Sequence, residues 1–557
     1  MWTRVLEKNR LRLQEESGTS ANPWGGRLSV ALVYPNNYHT AMSNLGFLTV
    51  YHLLNSREDC LCERFFLPDA EDIPGCRKTK GVLTSLESGR PLSDFDLVAF
   101  SISFENDYLN LPLIFELGRL PLFARERTAH DSLILCGGVC SFLNPAPLAP
   151  IMDAFAVGEA EVLLPPLVDL LLSSEGGRGE LLSQLAALPG FYVPGRSEAG
   201  GPVRRQWVSE LSETASRSFI QSRQSEFSDM ALTEISRGCS RGCRFCAAGF
   251  IYLPARERSL ASLLPQVEAG LCDRRKVGLV GAAVSDYSDI TALGDAILEQ
   301  DGAISVASLR LDSLQVSEIR ALKASGHKTV SLAPEAGSQR MRDLINKNLT
   351  EAQILGAVRL LAEEEIPHLK LYFLFGLPGE DEGDLAEMTA LCRAILGIWR
   401  EAGRKASRMG TVTVSLNPFI PKPFTPLQWA GMEDLKQLEK KSRFLRRELE
   451  REPNFQLHIE PLRAAQMQAF FSRCDTRGAE VIARMHEGAN LKSACRELGV
   501  DLDALVHRTR ERDEAFAWEC IDNGVRRDYL RREYENALAG RLTPRCVPGC
   551  RRCGVCG

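Results

Sequence analysis

The sequence predicts an α/β protein in which a doubly wound parallel-sheet N-terminal domain precedes a partial (β/α)6 TIM-like barrel and a helical C-terminal region. Three observations predict this class. Short apolar runs alternate with stretches of helical spacing in two series, at about residues 26–185 and 228–430, as in parallel sheets covered by helices. Residues 186–227, which contain turn residues, separate the two series. Residues 431–557 instead begin with leucines at helical spacing among Lys, Arg and Glu.

Composition and charge exclude several classes of protein. The chain has 557 residues, of which 44% are hydrophobic and 25% charged, so it is not largely disordered, collagen-like or embedded in a membrane. The net charge of −5 gives no global electrostatic reason to bind nucleic acid or an acidic membrane surface. The N-terminus lacks an apolar signal core, and no run of about 18 apolar residues occurs. We therefore expect a cytoplasmic protein with no membrane partner and with reduced thiols, so that clustered cysteines are first interpreted as metal ligands.

The first series follows a predicted N-terminal helix or arm at residues 1–25. Its segments 45–54 and 162–172 have helical spacing. Its buried strands are predicted at Ser29–Tyr34, Leu97–Ser103, Leu133–Cys136 and Ala154–Gly158. Each strand is followed by a polar or glycine-containing turn. Because open α/β sheets bind ligands at the carboxyl edge of their strands, these turns predict a ligand site without identifying the ligand.

The second series predicts the barrel. It follows a connector at residues 186–227, in which Phe191–Pro194 and Glu198–Gly201 are interpreted as a hairpin. Its candidate strands are Ala231–Ser236, Val277–Val280, Ser305–Leu309, Thr329–Leu332, Lys370–Phe375 and Thr411–Leu416. Six strands at these intervals indicate a full or partial parallel β/α barrel.

A loop with three cysteines carries the strongest chemical signal. Cys239, Cys243 and Cys246 lie just past the first barrel strand, with three and then two residues between them. Three thiolates can bind three irons of a cubane [4Fe–4S] cluster and leave the fourth iron open for a substrate. The alternatives are a structural zinc loop or three unrelated cysteines. A zinc site needs a fourth ligand nearby, however, and no Cys or His follows before Cys272.

This loop resembles the cluster-binding motif of the radical SAM superfamily, in which an aromatic residue such as Phe245 typically precedes the third cysteine. The resemblance implies that Cys239, Cys243 and Cys246 are the cluster ligands. It further implies that the open iron chelates S-adenosylmethionine, and that one electron cleaves this molecule into methionine and a 5′-deoxyadenosyl radical. An electron donor such as flavodoxin or ferredoxin is the partner that this chemistry requires.

The resemblance also implies cofactor-binding residues around S-adenosylmethionine. The turn that holds the methionyl amino group in this superfamily corresponds to Gly281 and Ala282. Since this turn departs from the usual Gly-Gly-Glu, backbone carbonyls together with Ser285 or Asp286 are expected to substitute. Arg310, after the third strand, is expected to pair with the methionyl carboxylate, and its alternative role is a surface salt bridge.

Two further positions follow the fourth and fifth barrel strands. Glu335 ends the fourth strand, where the superfamily often places a polar contact to the ribose, and a carboxylate at this face of a barrel is more often functional than structural. Gly376 begins a Gly-Leu-Pro-Gly-Glu segment that resembles the adenine-side turn. A tight strand-to-helix turn would explain the same glycines.

The N-terminal domain resembles that of the cobalamin-binding subclass, with which residues 137–145 and 153–159 share the pattern of the later strands. Residues 417–429 and the Cys-Gly-Val-Cys tail resemble one uncharacterised bacterial branch with a cobalamin-type N-terminal domain. The resemblance implies cobalamin as a cofactor. The Asp-x-His-x-x-Gly loop that supplies a cobalt ligand elsewhere is missing, and the nearest histidine, His39, is expected to form local hydrogen bonds instead. The alternative is a domain that kept the fold and lost the ligand.

The C-terminal tail places four thiols in eleven residues, at Cys546, Cys550, Cys553 and Cys556. Four ligands suffice for a closed site that holds zinc or a second, auxiliary iron–sulfur cluster, and spacing alone does not separate these metals from each other or from a metal-free tail. The arginines of the tail could steer nucleic acid or balance a thiolate–metal centre. The other ten cysteines are scattered and are interpreted mostly as small buried hydrophobic residues.

The sequence thus predicts a radical SAM enzyme of transferase type. It reductively cleaves S-adenosylmethionine for cobalamin-linked methyl transfer or for another radical modification of a substrate that the sequence does not identify. One alternative is cobalamin-free modification, such as sulfur insertion into RNA or protein. An alternative of another class is a non-catalytic iron–sulfur protein whose basic tail binds RNA, with binding that weakens steeply with salt.

Overall fold

The computed structural model describes residues 2–307, 309–407 and 409–556. Ser308, which belongs to the predicted third barrel strand, lies outside these residues. The chain begins with helix α1 (Trp2–Glu15), at the predicted N-terminal helix or arm. The Lys8 ammonium of α1 forms ion pairs with Asp69 (2.8 Å) and Asp72, so this helix is fastened to the N-terminal domain.

The N-terminal domain contains a six-stranded sheet. Its strands are β1 (Leu28–Asn37), β2 (Cys60–Leu67), β3 (Leu97–Ser101), β4 (Leu133–Gly137), β5 (Ala154–Ala156) and β6 (Phe191–Tyr192). The spatial order is β2-β1-β3-β4-β5-β6; the first five strands are parallel, and β6 is antiparallel to β5. The strand order therefore reverses between β1 and β3, which is where doubly wound sheets bind ligands.

Helices cover both faces of this sheet. They are α2 (Tyr38–Met42), α3 (Leu45–Asn55), α4 (Ile73–Lys78), α5 (Leu111–Gly118), α6 (Val139–Leu143), α7 (Ala160–Ser173) and α8 (Arg178–Ala187). Alternate residues of β1 enter two different apolar clusters, Val30 on one face and Ala31 on the other. Burial on both faces explains the continuous apolar sequence of this strand and confirms the doubly wound prediction.

Strand β2 is absent from the sequence-based prediction, and charge is the reason. Glu63 and Arg64 interrupt its apolar pattern, yet both are buried. The Arg64 guanidinium lies between the carboxylates of Glu16 (2.6 Å) and Glu87 (2.7 Å). Partners that are distant in sequence thus allow a charged side chain inside the domain, and a local pattern cannot show them.

The connector does not form the predicted hairpin. Phe191–Tyr192 joins the edge strand β5, residues Ser197–Gly200 form a 3₁₀ turn, and Val203–Arg204 (β7) pairs in parallel with Ile521–Asp522 near the C-terminus. Both segments therefore find partners elsewhere in the molecule rather than each other.

The second α/β unit is an open barrel. Its strands are β8 (Met230–Glu234), β9 (Ser236–Arg237), β10 (Arg256–Glu257), β11 (Lys276–Val280), β12 (Ala303–Val306), β13 (Thr329–Glu335), β14 (His368–Phe375), β15 (Thr411–Pro418) and β16 (Phe455–Ile459). Two parallel sheets, β12-β11-β8 and β13-β14-β15-β16, meet at a bridge between Leu309 and Leu332. All six predicted strand positions are occupied. The seventh barrel strand, β16, lies in the region predicted as helical and extends the barrel beyond residue 430.

Helices surround the barrel and form most of the remaining chain. They are α9 (Ala248–Ile251), α10 (Leu260–Leu271), α11 (Ile290–Glu299), α12 (Val316–Ala324), α13 (Gln339–Leu344), α14 (Glu351–Glu363), α15 (Glu382–Lys405), α16 (Leu435–Leu449), α17 (Leu462–Arg473), α18 (Gly478–His486), α19 (Leu491–Glu497), α20 (Leu502–Val506) and α21 (Arg527–Leu538). Strand β17 (Ile521–Asp522) is the partner of β7. In α16 the leucine stripe is buried at Leu438, Leu445 and Leu449. Over the described ranges, no helix is long and apolar enough to cross a membrane.

Candidate active site

The three-cysteine loop leaves the carboxyl end of β8 and is held in place by backbone contacts. Gly238 has a φ of +83°, and a Cβ atom there would lie 2.5 Å from the carbonyl oxygen of Tyr252. Only glycine fits this position without a shift of the backbone. The N–H of Arg244 donates to the carbonyl of Ile345 (2.9 Å), which ties the loop to the end of α13. The loop conformation is therefore set by the fold around it.

The three thiols are half-buried, and their surroundings suit a polynuclear cluster. Burial raises the pKa of Cys239 and raises that of Cys246 to about 12. Since iron binds the thiolate, loading a cluster here would release protons. In the part of the chain that the structure describes, the three sulfur atoms do not all lie within 4.8 Å of one another. Three thiols with no fourth cysteine or histidine on the same loop suit three separate irons better than one zinc ion, so the donor set fits a [4Fe–4S] cluster.

A cavity of about 130 Å³, which we call the barrel cavity, opens beside these thiols. Its lining includes Ala282, Arg310, Glu335 and Lys347. The charge of Arg310 acts on the Cys239 thiol, and that of Glu335 acts on the Cys246 thiol. Two of the predicted cofactor-binding side chains and the predicted cluster ligands therefore meet at the carboxyl end of the barrel strands, where β/α barrels place their active sites.

Glu335 reaches the barrel cavity through an unusual backbone conformation. Its φ is +66°, and the pairing register of β13 with β14 shifts between Leu332 and Glu335. A non-glycine residue in the left-handed region costs free energy and is found preferentially at functional sites. Burial raises the pKa of the Glu335 carboxyl, while Lys347, 3.3 Å away, partly offsets this effect.

The sequence-based prediction did not include Lys347. This residue lies between Asn346 and Asn348, which both have a positive φ, of 53° and 52°. Asparagine tolerates the left-handed conformation better than most residues, so the Asn-Lys-Asn triplet was a signal for a tight turn that presents a lysine. Sequence alone gave no indication that this turn faces the end of β13.

Arg310 and Asp286 belong to one cluster of charges. The Arg241 guanidinium pairs with Asp286 and with Asp312 (2.7 Å), and Arg310 contacts Asp312 at 2.9 Å and Asp286 at 3.7 Å. Two arginines and two carboxylates thus balance one another beside the cysteine loop. Arg310 also lines the barrel cavity, whereas Asp286 is not part of its lining.

The other predicted cofactor residues are dispersed. Ala282 lines the barrel cavity, and both Gly281 and Ala282 line a second, larger cavity. Ser285 lines a separate, mainly apolar cavity of about 90 Å³ between α11 and α12, where its hydroxyl has no hydrogen-bond partner. The structure therefore places Ser285 at this separate cavity and not at the barrel cavity.

Gly376 and Phe245 also lie outside the lining of the barrel cavity. Gly376 has a φ of +73°, and its N–H donates to the Glu380 carboxylate (2.6 Å). A Cβ atom there would lie 2.5 Å from the Leu438 side chain. These contacts account for the glycine as part of a strand-to-helix turn, which is the alternative that the sequence left open. Phe245 is partly buried against the hydrophobic core.

The larger cavity, which we call the interdomain cavity, has a volume of about 420 Å³ and lies between the N-terminal domain and the barrel. Its N-terminal wall follows β1 at Asn44–Gly46, β3 at Ser103, β4 at Gly138 and β5 at Glu159. This is the carboxyl edge that the sequence predicted as a ligand site, and the volume falls in the usual range for small-molecule sites. Ala282 belongs to both cavities, so the two share a wall.

Buried ion pairs fix the position of the two domains across the interdomain cavity. Glu159 of the N-terminal domain contacts Arg237 (2.7 Å) and Arg256 (2.7 Å) of the barrel, together with Arg205 (3.4 Å) of the connector. Burial acts to raise the pKa of Glu159, but the hydrogen bond from Arg256 and the charge of Arg237 hold it below its usual value. A paired, ionised carboxylate can therefore remain at this interface.

His39 lies away from the interdomain cavity. It is part of the short helix α2, its side chain is 55% exposed, and its ring lies 3.9 Å from Glu226. No histidine lines the interdomain cavity within the described ranges. The His39 ring therefore faces a carboxylate that is distant in sequence instead of the local hydrogen-bond partner that the sequence predicted, and it does not line the interdomain cavity.

The C-terminal tail returns to the cysteine loop. The N–H of Cys546 donates to the carbonyl of Ser240 (2.7 Å), between two of the predicted cluster ligands. Of the ten scattered cysteines, eight are buried, Cys520 is half-buried and Cys272 is exposed. Most of them are therefore the small core residues that the sequence predicted.

Comparisons with known proteins agree with this site. The family model described as "Radical SAM proteins, N-terminal" matches residues 46–194, and that of the radical SAM superfamily matches residues 233–392, which includes the cysteine loop. Together the two matches span more than half of the chain.

Individual relatives are more distant. An uncharacterized protein of Methanocaldococcus jannaschii is 29% identical over 404 residues, which are 72% of this chain and 79% of the relative. A threonylcarbamoyladenosine tRNA methylthiotransferase of Treponema pallidum is 26% identical over 38% of this chain and 45% of its own length.

Among solved structures, the radical S-adenosylmethionine methyltransferase TsrM from Kitasatospora setae, with cobalamin and a [4Fe–4S] cluster bound, has a TM-score of 0.50 and 17% identity. The match covers 73% of this chain and 79% of that chain, and at this identity it indicates a similar fold. The cysteine loop at the end of β8, the open parallel barrel and both family matches agree, and the chain belongs to the radical SAM superfamily of enzymes.

Proposed function

We propose that this enzyme cleaves S-adenosylmethionine in the barrel cavity and uses cobalamin, held in the interdomain cavity, to transfer a methyl group to a substrate. The observation that carries the proposal is the shared wall at Ala282, which places the two cavities next to each other. A cluster on three thiolates supplies an open iron and the electron for cleavage, and cobalamin supplies a carrier for the methyl group.

The residues of the barrel cavity suit a zwitterionic ligand that carries a sugar. Arg310 and Lys347 bring positive charge to the lining, and because Arg310 is paired with Asp312 and Lys347 with Glu335, a ligand carboxylate would share these cations with their present partners. The Glu335 carboxylate can accept hydrogen bonds from ribose hydroxyls. Lys347, 3.3 Å away, favours the charged form of Glu335, which is the form that accepts such hydrogen bonds, and so opposes the effect of burial on its pKa.

The interdomain cavity offers neutral contacts beside one cluster of paired charges, in which Arg237 contacts Glu159, Glu161 and Glu234. Thr49, Ser101 and Ser103 bring hydroxyl groups to its N-terminal wall, and Phe142 and Tyr252 bring aromatic rings from the two domains. These rings contact each other edge to face at 5.7 Å. Such a lining suits a large organic cofactor with amide groups better than a free anion. Since His39 lies elsewhere, cobalamin would be held here without a histidine from this chain.

Two further observations support the proposal that cobalamin is the cofactor. The interdomain cavity lies at the carboxyl edge of a β2-β1-β3-β4-β5 sheet, which is the ligand-binding edge of doubly wound domains. TsrM, whose fold is similar over most of the chain, is a methyltransferase with cobalamin bound.

A second candidate is radical methylthio transfer. It is favoured by the similarity to the methylthiotransferase of Treponema pallidum and by the extra cysteines of the tail. It requires no cobalamin, so cobalt content separates the two candidates.

The test measures iron, cobalt and 5′-deoxyadenosine in the same preparations of full-length protein, purified without oxygen after supply of cobalamin. We expect cobalt near one per chain and formation of 5′-deoxyadenosine with a one-electron reductant. Ala160→Trp inserts an indole into the interdomain cavity and should remove cobalt while S-adenosylmethionine cleavage continues.

Val162→Trp is the matched control, because Val162 is 37% exposed on the same helix and does not line the interdomain cavity. This variant should keep both properties. A native chain that cleaves S-adenosylmethionine but holds no cobalt would overturn the cobalamin part of the proposal. A chain that loads iron but forms no 5′-deoxyadenosine would overturn the whole of it.

A further inference from the structure

We infer that Cys546, Cys550, Cys553 and Cys556 hold an iron–sulfur cluster of their own, docked against the loop that carries the three-cysteine set. This inference goes beyond the proposed function, because it adds a second metal centre that S-adenosylmethionine cleavage by itself does not require. It rests on three features of the tail: its attachment, the spacing of its sulfur atoms and its charge.

The tail is attached at a defined place. Asn346 donates from its side-chain amide to the carbonyls of Gly242 (3.2 Å) and Thr543 (3.1 Å), and accepts from the Thr543 N–H (2.9 Å). Arg244, which is fully buried, donates to the Arg541 carbonyl (2.6 Å). The last residues before Cys546 are therefore fixed to the cysteine loop by buried or half-buried polar contacts.

A small cavity joins the two sets of cysteines. It has a volume of about 30 Å³, and its lining includes Cys239 of the loop together with Cys546, Cys550 and Cys553 of the tail. Cys553 is only 5% exposed, and its carbonyl accepts a hydrogen bond from the Arg526 N–H (2.9 Å) at the start of α21. Three of the four tail cysteines thus line a walled space beside the cysteine loop, and Cys556 lies outside its lining.

The spacing of the sulfur atoms favours a cluster over a single ion. Thiolates on one tetrahedral zinc ion lie about 3.8 Å apart, as bonds of about 2.3 Å require. Among the described residues, no three of the four tail sulfur atoms lie within 4.8 Å of one another. A cluster distributes its four cysteine ligands over two or more irons, so it accepts the wider arrangement.

Cations around the tail suit the negative charge of a thiolate-bound cluster. The Arg552 Nε lies 3.2 Å from the Cys550 sulfur, and the same guanidinium donates to the carbonyls of Pro544 (2.8 Å) and Arg545 (2.9 Å). This arginine therefore both closes the turn and faces a ligand. Hydrogen bonds to sulfur and nearby charge are the means by which proteins tune such clusters.

The experiment removes one cysteine set at a time from the full-length chain and measures iron, zinc and acid-labile sulfide. The triple variant Cys239→Ala, Cys243→Ala, Cys246→Ala should retain about two to four irons per chain with matching sulfide. The double variant Cys550→Ala, Cys553→Ala should retain only the iron of the barrel loop. Cys272→Ala, which removes an exposed cysteine outside both sets, should lose none.

Zinc in the triple variant, or no metal at all, would overturn the inference. A second measurement tests adjacency without depending on any single variant: reduced native protein should show an electron paramagnetic resonance spectrum broadened by interaction between two clusters. A native spectrum equal to the sum of the spectra of the two variants would contradict the proposed docking. Neither measurement reads S-adenosylmethionine cleavage or cobalt, so failure here is distinct from failure of the proposed function.

Discussion

The carboxyl edge of the N-terminal sheet faces the carboxyl edge of the barrel, yet the two edges carry different side chains. At the barrel edge, charged groups are paired: Arg241 and Arg310 with Asp286 and Asp312, and Lys347 with Glu335. At the N-terminal edge, hydroxyl and amide groups such as Thr49, Ser101, Ser103 and Asn44 predominate, and the carboxylates there, Glu159 and Glu161, are paired with Arg237 of the barrel.

This difference indicates which ligand each edge can hold. Each ion pair holds its two side chains in a fixed direction. Paired charges beside three thiols can therefore orient a small charged molecule. Neutral hydroxyl groups around a larger cavity bind without a large desolvation cost and suit a bulky, largely neutral ligand. One fold class thus provides two kinds of site, and the loops after the strands decide which kind forms. Three perturbations test this contrast.

The largest effect is expected from removing a thiol at the barrel edge. Cys243→Ala should lower 5′-deoxyadenosine formation by about 1000-fold or more, since the cluster loses one of three protein ligands. Cobalt binding at the N-terminal edge should persist, and the thermal unfolding temperature should remain close to that of the native chain. Cys272→Ala serves as the control and should retain full activity. Undiminished 5′-deoxyadenosine formation by Cys243→Ala would refute the ligand assignment.

A smaller effect is expected from Glu335→Gln. Loss of a charge-assisted hydrogen bond to the ribose should raise the KM for S-adenosylmethionine about 30-fold, roughly 2 kcal/mol. The control is Glu365→Gln, because Glu365 also has a positive φ (58°) but is exposed and pairs with Lys323 at the surface. An equal change in both variants would show that backbone strain, and not the carboxylate in the barrel cavity, is responsible.

The smallest effect concerns Asp107, a buried carboxylate just past β3 at the N-terminal edge. Burial raises its pKa to about 6, although Asn36 donates a hydrogen bond to it (2.8 Å). Since the folded-state pKa exceeds the unfolded value of about 3.9, the folded chain binds the proton more tightly. The stability from this group is complete below about pH 4 and is lost as the pH rises through 6.

Asp107→Asn should therefore stabilise the protein by about 2 kcal/mol at pH 7.5 and by little at pH 4. Denaturant unfolding at both values measures this difference. Asp94→Asn, at an exposed site that faces only a distant Arg90 (3.9 Å), is the control and should show no such pH dependence. A stabilisation by Asp107→Asn that is the same at both pH values would contradict the assignment.

Much of the fold followed from local sequence patterns. Five of the six strands predicted for the barrel and all four predicted for the N-terminal domain lie wholly within described residues, and strands of the structure occupy these positions. The misses have physical causes. Strand β2 carries buried charges whose partners are distant in sequence, and the predicted hairpin segments pair with β5 and β17 instead of each other. Strand β16 is short and lies among helices.

The functional site was only partly predictable from the sequence, because local patterns do not show contacts between distant segments. A loop that contains all three thiols within eight residues carries a complete donor set in its own sequence, so its spacing alone supports the prediction of the cluster ligands. Ser285 and Gly376 were assigned by position after a strand, but the path of the chain after a strand depends on packing. Lys347 was missed because its partner Glu335 lies across a turn whose path is set by two left-handed asparagines.

By itself, the amino-acid sequence determined the alternation of strands and helices, the three-cysteine loop and the four cysteines of the tail. Only the tertiary structure decided that the tail lies against the three-cysteine loop and that Ala282 separates two cavities. It also decided that Glu159 joins the two domains through ion pairs with arginines. The physical reason is that short-range spacing is fixed by covalent geometry. Contacts between distant segments depend instead on which buried surfaces and charges find partners when the whole chain packs.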